Sequence, residues 1–181
     1  MFAELDRHPR AIVTTLVLGA DSGAAALARA DRAEQLIDEV EATFAAARDT
    51  NPDFDGATGV IALIGEDGNY YPYGPADARA RLLSDLGFTQ QPEITRLAGD
   101  RFFATISAGR FDLLNADVLV WAAESQAVVA LGRDVFLPPN GALGAALSYN
   151  NALSLPFVID GMMPLLQAAV DGDPNTAVPA A

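Results

Sequence analysis

The 181-residue chain contains no lysine and no cysteine, and its single histidine is His8. Without lysine there is no amine for a Schiff base and no P-loop lysine for a nucleotide phosphate. Without cysteine there is no disulfide, no thiolate nucleophile and no cysteine-ligated zinc. One histidine cannot build a two-histidine metal site, and a Ser-His-Asp triad would have to draw it from the very start of the chain. Positive charge is scarce too: eleven arginines oppose 24 carboxylates, a formal net charge of −13. Such a chain repels nucleic-acid phosphates and anionic lipid, so neither is expected as a partner. Long apolar runs are also lacking, and stretches such as Val118–Ala123 are too short to cross a bilayer. The start, Met-Phe-Ala-Glu-Leu-Asp-Arg-His-Pro-Arg, has neither an apolar signal core nor a lipid-attachment cysteine. The residues from which catalysis is most often built are scarce, so no enzyme, cofactor or resident metal is expected.

What the chain has in plenty is alanine, 35 residues, so its 51% hydrophobic content overstates the supply of large core side chains. The length suits one domain with a sizeable core. Residues 1–22 are hard to place, since Ala11–Gly19 reads equally as a strand or as the first turns of a helix. A long helix is expected over Gly23–Arg48, where Leu27, Ala30, Ile37, Val40, Phe44 and Ala47 recur at three- and four-residue steps. Asp49-Thr50-Asn51-Pro52 stops it. Thr58–Ile64 reads as a buried strand, Glu66-Asp67-Gly68-Asn69 as a hairpin turn, and Tyr70-Tyr71-Pro72-Tyr73 as extended. A helix is expected from Pro75 to Leu86, stopped by Gly87. Arg101–Ile106 is strand-like, and Ser107 is read as the N-cap of a helix through Leu114. Asp117–Ala122, Ala127–Leu131 and Asp134–Leu137 read as further strands, Pro138-Pro139-Asn140-Gly141 as a loop, and Pro156–Val170 as a last helix carrying Pro164. The fold class is α/β: a single lobe with a central four- to five-stranded mixed sheet covered by helices and preceded by a long linker-type helix. The expected division is an N-terminal segment 1–22, a domain 23–173 and a Pro/Ala tail 174–181.

Few constellations carry chemistry. Asn51-x-Asp53-x-Asp55-Gly56 opens like a calcium loop, but its twelfth position is Ala62 in a core strand, so it reads as a polar loop. Carboxylate pairs such as Glu66/Asp67 read as solvated surface. Gly141-Ala142-Leu143-Gly144 lacks the strand–loop–helix context of a nucleotide site. The tyrosines are more informative. Tyr71 and Tyr73 share a face of an extended segment that ends at a helix start, and aromatic faces beside an arginine make a ligand platform. Arg101-Phe102-Phe103 and Ser148-Tyr149-Asn150-Asn151 have the same character. The candidate ligand-binding residues are Tyr71, Tyr73, Arg101, Phe102 and Tyr149.

Four segments, ARADRAEQLIDEVEATFAAAR (28–48), YYPYGPADARARLLSDLGF (70–88), FFATISAGRFDLLNADVLVW (102–121) and ALSYNNALSLPFVIDGMMPLL (146–166), stand in an order and spacing that resembles the C-terminal lobe of iron–siderophore (vitamin B12-type) substrate-binding proteins of ABC importers. In that family a long helix joins two α/β lobes, and the ligand lies in the cleft between them. The resemblance implies a solute-binding lobe that holds a ferric siderophore or similar chelate through aromatic and arginine side chains. The implied charge match to an anionic chelate is Arg101. The resemblance also implies an ABC permease as partner and an extracytoplasmic, membrane-associated location; with no signal segment, the location is cytoplasmic if Met1 is the native start. Two departures stand out. The family's N-terminal lobe has no counterpart here. The glutamate that docks to permease arginines, two residues after the serine, is replaced by Gly109, followed by Arg110, so the expected docking charge is absent. The alternative reading is an orphan half-domain acting as a structural module or homodimer.

Overall fold

The computed structural model describes residues 23–123, 134–149 and 151–171. The expected strand at Ala127–Leu131, the segment 1–22 and the tail 174–181 lie outside the described residues. The first element is helix α1 (Gly23–Thr50), 28 residues and therefore about 42 Å long at the α-helical rise. Its stop is built by side chains. Thr50 Oγ1 donates to Ala46 O, and Asn51 Nδ2 donates to Ala47 O at 2.7 Å. Gln167 Nε2 then donates to Asn51 Oδ1 at 2.6 Å, tying the end of α1 to the last helix. Ile37, Val40, Phe44 and Ala47 are all buried, so this part of the apolar stripe of α1 is covered within the chain, whereas Ala30 is exposed and the Leu27 side chain lies outside the described residues.

The sheet holds five strands: β1 (Thr58–Ile64), β2 (Tyr70–Pro72), β3 (Thr89–Gln90), β4 (Val118–Trp121) and β5 (Asp134–Phe136). Their order is β2-β1-β4-β5, with β3 beside the first half of β1. β2 is antiparallel to β1, and every other pairing is parallel. The sheet is therefore the mixed one expected. Its central strands β1 and β4 are near-continuous apolar runs because both of their faces are covered.

On one face lie α1, α2 (Ala78–Asp85), α4 (Ala142–Tyr149) and α5 (Leu155–Val170), whose apolar residues meet Ile61, Val118, Val120 and Val135. On the other lie α3 (Pro92–Ala98) and the 3-10 turns at Ala108–Leu114, packed on Val60, Ala62, Leu119 and Trp121 through Ile94, Ile106 and Leu114. Helix α2 begins at Ala78, capped by Asp77, rather than at Pro75. The expected helix after Ser107 is instead a pair of 3-10 turns broken at Arg110 (φ −118°, ψ 38°), and the Ser107 side chain makes no capping bond. Arg101–Ile106 is not a strand of the sheet but runs beside Tyr70–Gly74 through the isolated bridges Tyr73–Phe103 and Tyr70–Ile106, with Ala104 N–H donating to Pro72 O at 2.9 Å. The turn after β5 is fixed by close approach: a Cβ on Gly144 would meet Pro138 O at 2.1 Å.

Candidate functional site

The chain leaves β1 toward β2 and β3 on one side, then returns to place β4 and β5 on the other. Open α/β sheets bind ligands beyond the carboxyl ends of their strands where the order reverses in this way. Here that edge is formed by Ile64, the end of β1, by Trp121, the end of β4, and by Tyr70, which pairs with Ile64 at the mouth of the hairpin.

Three aromatic rings meet there. Tyr70 lies edge-on to Phe111 at a centroid distance of 5.5 Å and tilted against Trp121 at 5.7 Å, while Phe111 and Trp121 are stacked at 6.4 Å. Trp121 is fully buried and forms the floor, with its indole N–H donating to Asp134 Oδ2 at 3.1 Å. Tyr70 and Phe111 are half-buried and form the rim. Among the described residues the Tyr70 hydroxyl has no hydrogen-bond partner. On a half-buried ring, a hydroxyl without a partner among the described residues is a polar handle on an aromatic patch.

The hairpin turn beside this patch is locked by Asp67. Its carboxylate accepts from Tyr71 Oη at 2.7 Å, from Asn69 Nδ2 at 2.7 Å and from the Asn69 backbone N–H at 3.1 Å. These donors hold Asp67 below the usual aspartate range, the Tyr71 hydroxyl contributing most, and the same bond pushes the Tyr71 hydroxyl up. Gly65 makes the lock possible, since a Cβ there would meet Asp67 Oδ1 at 2.4 Å and Tyr71 Cε2 at 2.5 Å.

The five residues singled out from sequence do not form one surface. Tyr71 meets Phe103, the neighbour of Phe102, edge-on at 5.6 Å. Phe102 itself is 64% exposed. Tyr73 is 4% exposed and enclosed. The Arg79 guanidinium lies 3.7 Å from its ring centroid, Arg79 Nη1 donates to its hydroxyl at 2.9 Å, and burial raises that hydroxyl above the usual phenol range. Asp77 holds Arg79 in turn, accepting from Nε and Nη2, both at 2.8 Å. Arg101 points at the end of α3, donating from Nη2 to Leu97 O at 2.6 Å and from Nε to Ala98 O at 3.3 Å. Its charge is thereby spent on a helix C-terminus, a site that favours cations. Tyr149, 80% exposed, ends the helix that follows β5, the strand at the far end of the order from β2.

The residues that do converge, Tyr70, Phe111 and Trp121, were not among those read from sequence. The available signal was parity: Tyr70 alternates with Tyr71 and Tyr73, so it faces the opposite side of the sheet, the side that also receives the chain's one tryptophan.

No group of three or more His, Asp or Glu side chains among the described residues is arranged to hold a metal ion. No helix among them is long and apolar enough to cross a membrane.

No protein-family profile and no curated protein matches the chain. Solved structures do. PiaA of Streptococcus pneumoniae TIGR4 in complex with ferrichrome is 21% identical, with a TM-score of 0.69, over 92% of this chain and 59% of that one. A periplasmic solute binding protein from Mycobacterium smegmatis is 22% identical, with a TM-score of 0.65, over 80% of this chain and 53% of that one. FhuD2 from Staphylococcus aureus with bound ferrioxamine B is 17% identical, with a TM-score of 0.66, over 92% of this chain and 68% of that one. The chain thus spans only 59% and 53% of the length of the first two proteins. Its fold is similar to that of one lobe of siderophore-binding proteins of ABC importers, as the four sequence segments led us to expect.

Proposed function

We propose that this chain acts as a non-catalytic, solute-binding lobe that holds a ferric siderophore or similar chelate on the Tyr70–Phe111–Trp121 edge, in a cleft closed by a second lobe, for delivery to an ABC permease outside the cytoplasm. The observation that carries this reading is the aromatic edge itself: three rings in mutual contact at the carboxyl end of β1 and β4, with the Tyr70 hydroxyl unpartnered among the described residues. Rings of this kind offer flat apolar area to a chelate's organic arms, and the hydroxyl offers one directed hydrogen bond. The solved structures of similar fold include a complex with ferrichrome and one with ferrioxamine B, which supports the ligand class. Of the residues first read from sequence, Tyr71 serves by anchoring the hairpin and Tyr149 by standing exposed where a second lobe can cover it; Arg101, Phe102 and Tyr73 have no part in this site.

One lobe encloses only part of a ligand, so affinity in isolation is expected in the micromolar range or weaker, a binding free energy of about −8 kcal/mol or less favourable. Titration of the single tryptophan's fluorescence with a ferric trihydroxamate tests the proposal. Saturable quenching that weakens several-fold in Tyr70→Ala is the expected result, and an unsaturable response identical in both proteins overturns it.

A second reading, a half-domain that pairs with its own copy, draws on the exposed Tyr149, Leu153 and Phe157 around the α4–α5 junction. It predicts concentration-dependent sedimentation with no chelate response.

A further inference from the structure

Three polar or charged residues are buried among the described residues: Asn51, Asp77 and Asp134. Two serve the framework. Asn51 closes the end of α1 and joins it to α5, and Asp77 caps α2 and holds Arg79. Asp134 is placed differently. It opens β5 and pairs in register with Leu119, so it projects from the same face of the sheet as Leu119 and Trp121. The neighbours that build this face are apolar: Val60, Ala62, Ile94, Ile106 and Leu114. A carboxylate buried there gives up its hydration, and a well-packed apolar side chain commonly does as well or better in such a position. Stability alone does not account for Asp134.

Its Oδ2 accepts from the Trp121 indole N–H at 3.1 Å, and that bond is diagonal. Trp121 stands opposite Phe136 in the ladder, while Asp134 stands two residues nearer the amino end of β5. The N–H edge of the indole is therefore turned toward β5 and back from the carboxyl end of the sheet. A change of χ1 that swings the ring forward breaks the bond. The rest of the indole carries the other two rings. Phe111 stacks on it at an interplanar angle of 13°, and Tyr70 meets it at 52° with 5.7 Å between centroids. Tyr70 and Phe111 are half-buried and rest on a fully buried indole, so their placement follows its plane.

We infer that Asp134 is the positioning residue of the aromatic edge: its bond to the indole N–H fixes the plane of Trp121, and through that ring it holds Tyr70 and Phe111 ready for the organic arms of a chelate. The inference rests on the aromatic edge being the chelate site. Asp134 itself touches no ligand and acts through Trp121. Rings held in place beforehand have less freedom to lose on binding, and a supporting hydrogen bond is the usual means of holding them.

The test separates the bond, the charge and the stability. Asp134→Asn keeps an acceptor oxygen for the indole and removes the charge. Asp134→Leu keeps the volume and removes the acceptor. Gly144→Ala, which crowds Pro138 on the side of the sheet away from the three rings, is the control for lost stability. In the free protein, nuclear Overhauser contacts between the Tyr70 and Trp121 rings and the shift of the indole N–H read the ring position. Both should persist in Asp134→Asn and Gly144→Ala. In Asp134→Leu the contacts should weaken and the indole N–H should move upfield. Calorimetric titration with a gallium(III) trihydroxamate, well below each melting transition, reads the site. Asp134→Asn should bind within about twofold of the parent and Asp134→Leu about 5- to 10-fold more weakly, the value of one hydrogen bond, with Gly144→Ala unchanged. If the leucine variant does not fold, Asp134→Thr, which suits a strand and stops short of the indole, takes its place. Ring contacts and affinity that survive removal of the acceptor would overturn the inference. Equal losses in Asp134→Asn and Asp134→Leu would assign the effect to charge, and equal losses in Gly144→Ala and Asp134→Leu to stability, and either result overturns it as well. A parent protein that does not bind the chelate would overturn the site, with the ring contacts still deciding what Asp134 does.

Discussion

Tyr70, at the start of β2, and Trp121, at the end of β4, hold their ring centroids 5.7 Å apart on one face of the sheet, across the carboxyl end of β1. The pair separates packing from recognition. Tyr70→Phe keeps the ring against Phe111 and Trp121 and removes only the hydroxyl, which has no partner among the described residues. The melting temperature of this variant should match that of the parent, while affinity for a trihydroxamate chelate falls by about 5- to 10-fold, the value of one hydrogen bond. Loss of stability with unchanged affinity would assign Tyr70 to the core alone. The comparison uses differential scanning fluorimetry beside calorimetric titration.

Arg79 and Arg96 make ion pairs of opposite consequence. Arg79 is mostly buried, and its partner Asp77 is nearly inaccessible, whereas Arg96 and Glu93 are exposed. Removing Arg79 strands a buried carboxylate and uncovers the Tyr73 ring, so Arg79→Ala should cost about 3 kcal/mol or more in urea denaturation. Arg96→Ala should leave the transition midpoint where it is, as exposed pairs contribute little. Equal effects of the two variants would contradict the buried-clamp description.

The hairpin turn should weaken only in acid. Asp67 titrates below its unfolded value of 3.8 because it accepts three hydrogen bonds as an anion. A depressed folded pKa means that its stabilisation is present in full well above pH 3.8 and is lost as pH falls through the lower folded value. Asp67→Asn should therefore melt below the parent at pH 6, and the gap should close as the pH falls through the depressed folded pKa. A gap that widens on acidification would reverse the assigned sign.

Gly144 faces backbone that cannot yield. The Cβ of Gly144→Ala would fall 2.1 Å from Pro138 O and 2.8 Å from Pro138 C, forcing the turn after β5 away from α4. A loss of about 1–3 kcal/mol is expected, as for other overpacking changes. Gly109→Ala, with open space around its Cβ, is the matched control and should melt as the parent does.

Those elements were legible whose pattern is long or whose punctuation is strong. The periodic stripe from Ile37 to Ala47 and the apolar run Thr58–Ile64 announced α1 and β1. Helices α3 and α4 left no such trace. α3 is seven residues long and buries only Ile94 and Ala98, and α4 is so rich in alanine and glycine that its two faces barely differ. Ser107 looked like a helix cap, but its side chain makes no capping bond and the backbone breaks at Arg110.

The site was harder to read for a different reason. Alternation established that Tyr71 and Tyr73 share a face, but not that this face is the one closed over by α2. Arg79 decides that, since its guanidinium covers Tyr73 and makes it core. Arg101 looked like a ligand arginine, yet the end of α3 claims it, and α3 itself was not anticipated.

The most direct test of the aromatic edge uses the one indole in the chain. Trp121 supplies the sole indole N–H resonance in a nitrogen–proton correlation spectrum, donated to Asp134 beneath Tyr70 and Phe111. On titration with a diamagnetic gallium trihydroxamate, that resonance and the amides of Tyr70 and Phe111 should shift together along one saturable isotherm, while the amides of Arg101 and Phe102 stay in place. Saturable shifts confined to Arg101 and Phe102, or a spectrum that does not change at millimolar chelate, would contradict the account.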